Sequence, residues 1–63
     1  KSNRAICMKY IIAGERNIKN LAALIGKHIK TLLSYLKEFA ANGLIELSIG
    51  SGLKTEILAV NTL

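Results

Sequence analysis

Proline, tryptophan and aspartate are absent from this 63-residue chain, and cysteine, histidine, methionine and phenylalanine occur once each. Without proline, nothing in the sequence forces a helix to kink or a strand to lose a ladder donor. The single cysteine, Cys7, excludes an internal disulfide framework. It stands among Ala5, Ile6, Met8 and Ile11, the setting of a buried thiol, and fits a reducing, cytoplasmic location. The single histidine, His28, has no cysteine or second histidine spaced to share a metal, so no metal site is expected. The acidic residues are four scattered glutamates, Glu15, Glu38, Glu46 and Glu56, with no pair placed for acid-base work. Ser34 and Ser51 have no evident base partner, and the Gly50-Ser51-Gly52 run lacks the strand-loop-helix setting of a nucleotide cradle. An enzyme is therefore not expected, and no cofactor is implied. No uncharged apolar run approaches the ~20 residues of a membrane span. The opening KSNRAICMKYIIAG imitates a signal peptide, but Lys9 interrupts its apolar part and a structured pattern follows at once.

What is present points to one small folded domain. Apolar residues make up 51% of the chain, too many and too periodic for disorder. A chain of this length hides only ~60% of its unfolded surface, so its core has to be used efficiently. The chain starts at Lys1, without an initiator methionine, and reads as a piece of a longer protein. Nine basic side chains oppose four acidic ones, for a net charge of +5. The excess is segregated: Arg16, Lys19, Lys27, Lys30 and Lys37 fall in one stretch that holds no acidic residue. Such a basic segment is the footprint of a polyanion-binding surface.

Periodicity places this stretch on helices. Ser2 or Asn3 can cap a first helix over about residues 3–13. Cys7, Met8 and Ile11 share one face, and Ile6, Tyr10 and Ala13 form a second apolar stripe. A helix apolar on two sides wants cover on both, from the hairpin that follows or from a second copy or neighbouring domain. Gly14 ends this helix, and Glu15-Arg16 reads as a short extended link with one or two residues of strand. Asn17 caps a second helix, about 18–25, with Ile18, Leu21, Ala22 and Ile25 inward, and Gly26 permits a positive φ at the turn. The third helix, about 28–42, turns Leu32, Leu36 and Phe39 one way with Tyr35 beside them, and Lys30, Ser34 and Lys37 nearly opposite, with Ile29 and Leu33 on the border. Asn42-Gly43 ends it, and Leu44 can fold back onto Phe39 or Ala40. The period then drops to about 2: Leu44–Ile49 and Leu53–Val60 read as strands around Gly50-Ser51-Gly52, a hairpin over about 44–60. The expected fold class is α+β, a three-helix helix-turn-helix bundle followed by a β-hairpin wing.

Ile18, Leu21, Ala22, Ile25 and Gly26, then Thr31, Leu32 and Leu36, carry a resemblance over roughly residues 4–60. With Asn42-Gly43-Leu44-Ile45, similar to an AGLI junction before a wing, the chain resembles the winged helix-turn-helix domains of bacterial, archaeal and phage regulators. Two positions depart from that pattern. Lys27 stands where an apolar residue usually follows the turn glycine, and His28 stands where Ser, Thr or Asp usually caps the recognition helix. The entry to the third helix is therefore expected either to fray or to be fixed by a DNA phosphate.

The resemblance implies double-stranded DNA as partner, with the third helix in the major groove. Lys30 can then reach guanine O6 or N7, Leu33 a thymine methyl, and Ser34 a donor or acceptor with little discrimination. Lys19, Lys27 and Lys37 suit phosphates, His28 and Thr31 join the same contact set, and Lys54 is the one candidate from the wing. The expected parent is a transcriptional regulator or a replication or partition protein. The isolated domain is expected to be a monomer or weak dimer, any dimer or neighbouring-domain contact running through Ile6 and Tyr10 of the first helix. The alternative is a winged helix that binds protein and not DNA, motivated by Ile29 and Leu33 beside the basic face and by Ile6 and Tyr10.

Overall fold

The computed structural model describes residues 2–48, 50 and 54–61. It contains α1 (Asn3–Ile12), α2 (Ile18–Ile25), α3 (Ile29–Ala41), β1 (Ile45–Ser48) and β2 (Glu56–Val60). This is an α+β fold, three helices followed by an antiparallel two-stranded hairpin. The packing follows chain order: α1 lies on α2, α2 on α3, and β1 on α3.

Each helix is closed at both ends by residues of the types that favour those positions. Ser2 Oγ accepts from the Arg4 amide at 3.1 Å, and Asn17 Oδ1 accepts from the Asn20 amide at 3.0 Å. Of the two candidate caps for α1, Ser2 is the one used. At the other ends Gly14, Gly26 and Gly43 all take positive φ. Behind Gly43 the Leu44 amide reaches the Phe39 carbonyl (2.9 Å) and the Gly43 amide reaches that of Ala40 (3.0 Å). These are the paired bonds of a Schellman end, which satisfy carbonyls the helix leaves open. The same pair recurs behind Gly26, from Lys27 to Ala22 (3.0 Å) and from Gly26 to Ala23 (3.2 Å). Gly26 thus sets the angle between α2 and α3, and any side chain there would strain a left-handed backbone.

The link between α1 and α2 forms no strand. Glu15 Oε1 accepts from the amides of both Arg16 and Asn17 at 3.1 Å. The donors a ladder would need are therefore taken by the carboxylate one or two residues before them. Arg16 Nη1 donates to the carbonyls of Ile11 (2.5 Å) and Glu15 (3.1 Å), which places a cation on the last turn of α1.

The hairpin is shorter than its sequence suggests. Its strands span Ile45–Ser48 and Glu56–Val60, and the expected strand end at Ile49 and the expected turn and strand start at Ser51, Gly52 and Leu53 lie outside the described residues. Lys54 and Thr55 belong to the connection and not to the strand. Thr55, buried, donates its hydroxyl to the Gly50 carbonyl at a long 3.4 Å. A Cβ on Gly50 would stand 2.6 Å from that of Lys54, so only glycine allows this approach. The register pairs Glu46 with Ala59 but Leu47 with Ile57, leaving Leu58 unpaired as a bulge. Ile57 and Val60 are three residues apart and would face opposite ways in a regular strand. The bulge brings both onto the face they share with Ile45 and Leu47.

That face meets Cys7, Ile11, Leu21, Leu32, Leu36 and Phe39 in one core. The second stripe of α1 is covered only at Tyr10, which packs half-buried on the core, while Ile6 and Ala13 stay exposed. Cys7 is fully buried, and burial pushes its thiol up to about 11 from an ordinary 9.0. An unfolded chain ionises this thiol from about pH 9, whereas the folded one holds the proton until about pH 11. The resulting stabilisation is complete below pH 9 and is lost as pH rises through 11. Its size is on the order of 2 kcal/mol. Urea titrations of wild type and Cys7→Ala should therefore converge between pH 8.5 and 11. Parallel pH profiles would mean that the thiol is not shielded.

Candidate nucleic-acid interface

Three of the five cations of the basic stretch, Lys27, Lys30 and Lys37, come together along α3 because that helix buries only one side. Leu32, Tyr35, Leu36 and Phe39 are buried, which leaves Lys30, Ser34 and Lys37 exposed at i, i+4 and i+7 on the opposite side. Lys30 and Lys37 stand two turns apart, roughly 10 Å along the axis. Lys27 and His28 are exposed at the head of the same helix. Thr31 is half-buried on one flank. Leu33, like Ile29, is half-buried and packs against the core on the other, so less apolar surface borders the basic stripe than the sequence suggests.

The entry to α3 is closed by the imidazole itself. His28 Nδ1 accepts from the Lys30 amide at 3.1 Å. That bond uses the lone pair of Nδ1, so the proton of the neutral ring sits on Nε2. The missing hydroxyl cap is thus replaced within the chain, and the start of α3 does not depend on a ligand.

Lys19 and Lys54 stand on other elements. Lys19, on the first turn of α2, lines an open cleft of about 290 Å³ with Arg16, Asn17, Ile18, Thr55 and Glu56. The nearest wing residues are therefore a buried threonine and a glutamate. Lys54 is exposed in the hairpin connection just before them. The outward strand residues, Glu46, Ser48, Glu56, Leu58 and Ala59, include two glutamates and no cation.

Two electrostatic features set α2 and α3 apart. Neither helix has an acidic residue in its first turn or a basic one in its last. Lys19 and Lys30 instead sit near helix starts, where aligned peptide dipoles disfavour cations by ~0.3–1 kcal/mol each. The one carboxylate on α3 is also occupied: Arg4 of α1 donates Nε–H to Glu38 Oε1 at 2.8 Å, the only ion pair among the described residues. The Arg4 guanidinium carbon lies 4.9 Å from the centre of the Tyr35 ring. Arg4 escapes sequence reasoning because 34 residues separate it from Glu38. The one hint is that a lone carboxylate on an otherwise basic helix calls for a cation from elsewhere.

Among the described residues no helix is long and apolar enough to cross a membrane. Compared with protein-family models, curated proteins and solved structures, the chain matches none of them.

Proposed function

We propose that the protein binds double-stranded DNA by laying α3 along the major groove, as a winged helix-turn-helix domain of a transcriptional regulator or a replication or partition protein. The observation that carries this reading is the placement of cations against the grain of the helix dipoles. Lys27 and Lys30 crowd the positive end of α3, no acid in its first turn offsets them, and both are exposed. Folding gains nothing from that arrangement, whereas a phosphate at the helix start relieves it. Lys30, Ser34 and Lys37 then face base edges or the near phosphates, and Lys19, Lys27 and Lys54 supply non-specific anchoring. The acidic outer face of the hairpin assigns the wing a minor part.

The test is a titration of fluorescent mixed-sequence duplex at several salt concentrations. Four or five lysines on phosphates predict a log-log slope of about −4, at ~0.9 per contact. A domain that ignores duplex even at low salt would end the proposal. The protein-contact reading, motivated by Ile29 and Leu33 beside the basic face and by Ile6 and Tyr10 of α1, would replace it.

A further inference from the structure

The Arg4–Glu38–Tyr35 cluster does more than offset a charge. The Arg4 guanidinium carbon lies over the Tyr35 ring, 4.9 Å from its centre, and the 2.8 Å bond from Nε to Glu38 Oε1 ties the group to α3. The side chain remains 53% exposed. Its two Nη groups, with four N–H donors between them, meet no acceptor among the described residues. A planar fork held in this way, open to solvent, suits the bidentate geometry of a phosphate.

Its position on the fold is equally informative. Glu38 follows Ser34 by one turn, so Arg4 reaches the flank of α3 between the exposed stripe and the buried Tyr35. The major groove is ~12 Å wide, about the diameter of a helix with its side chains, so the flanks of a docked helix face the phosphate walls. On this flank α3 itself carries Thr31, Tyr35 and Glu38, and no cation. Resting on the DNA-binding reading above, we propose that Arg4 is a phosphate-contacting residue of the interface, positioned by Glu38 and Tyr35. Through it, α1 contributes a contact to the wall of the groove that the lysines of α3 do not serve.

A double-mutant cycle separates contact from mere charge masking. Wild type, Arg4→Ala, Glu38→Gln and Arg4→Ala/Glu38→Gln are titrated with the same duplex at several salt concentrations. Glu38→Gln keeps an oxygen for Nε but removes the charge. If Arg4 touches phosphate, the double variant binds about tenfold more weakly than Glu38→Gln. Its salt slope is also shallower by about one. If Arg4 only masks Glu38, the double variant matches Glu38→Gln in affinity and slope, and the proposal is overturned. Circular dichroism confirms the fold of each variant, since Arg4 and Glu38 are both half-exposed. A wild-type domain without duplex binding would instead show that the DNA-binding reading itself has failed.

Discussion

Leu36→Ala is expected to remove half or more of the domain's stability and to lower its thermal midpoint by roughly 12–40 °C. Leu36 has no exposed surface and sits with Leu32, Leu21, Ile11 and Cys7 at the centre of the only core cluster among the described residues. Truncating a fully buried leucine costs ~3–5 kcal/mol, the sum of lost transfer energy and the cavity left behind. A domain of this size has only about 3–9 kcal/mol of total stability at typical values per residue. Few neighbours can relax into the gap, because every helix and the hairpin already contribute to the same cluster. Far-ultraviolet circular dichroism through a thermal scan reads the result. The matched control is Leu58→Ala, at the hairpin bulge and 60% exposed, which should change stability by less than about 0.5 kcal/mol. Equal effects of the two substitutions would refute this account of the core.

The features of this fold that can be read from sequence are those with short-range causes. Ser2, Asn17 and His28 cap helices through bonds to amides two or three residues away. Gly14, Gly26 and Gly43 end helices through bonds that span a single turn. Helix limits inferred as 3–13, 18–25 and 28–42 therefore fall within a residue of those observed. The segments that escape are those whose outcome depends on competition. Glu15-Arg16 has the look of a strand until the Glu15 carboxylate takes the local amides. The second strand reads as one regular run, but Lys54 and Thr55 lie beside Gly50 outside the ladder, and Leu58 stands out of it as a bulge. For the candidate site, the stripe of Lys30, Ser34 and Lys37 follows from helical spacing. The link to Arg4 does not, because tertiary packing alone brings α1 to Glu38 and Tyr35.

Lys30→Glu combined with Lys37→Glu should abolish DNA association while leaving the fold intact or slightly more stable. The two effects have opposite signs for one reason. Lys30 lies two residues beyond the cap of α3, in a first turn without acidic residues. A glutamate there faces the positive end of the helix dipole and contributes ~0.3–1 kcal/mol to stability. Lys37 is exposed in mid-helix, and its replacement should be close to neutral. The thermal midpoint is thus expected to equal that of wild type or to exceed it by a few degrees. Binding moves the other way. Each reversal removes an attraction of roughly 1 kcal/mol to a nearby phosphate and adds a comparable repulsion. Together they weaken association on the order of a thousandfold, beyond detection for a single module on mixed-sequence duplex. Two such changes, each lowering the charge by two, take the chain from +5 only to +1. A same-charge control, Lys1→Glu with Lys9→Glu, changes two lysines that the proposed interface does not use and leaves the α3 stripe in place. If that control loses as much affinity as the α3 variant, only bulk charge matters and the groove-facing stripe has no special role. If the α3 variant alone loses binding while its melting midpoint holds or rises, cations at the head of α3 oppose stability and serve the ligand.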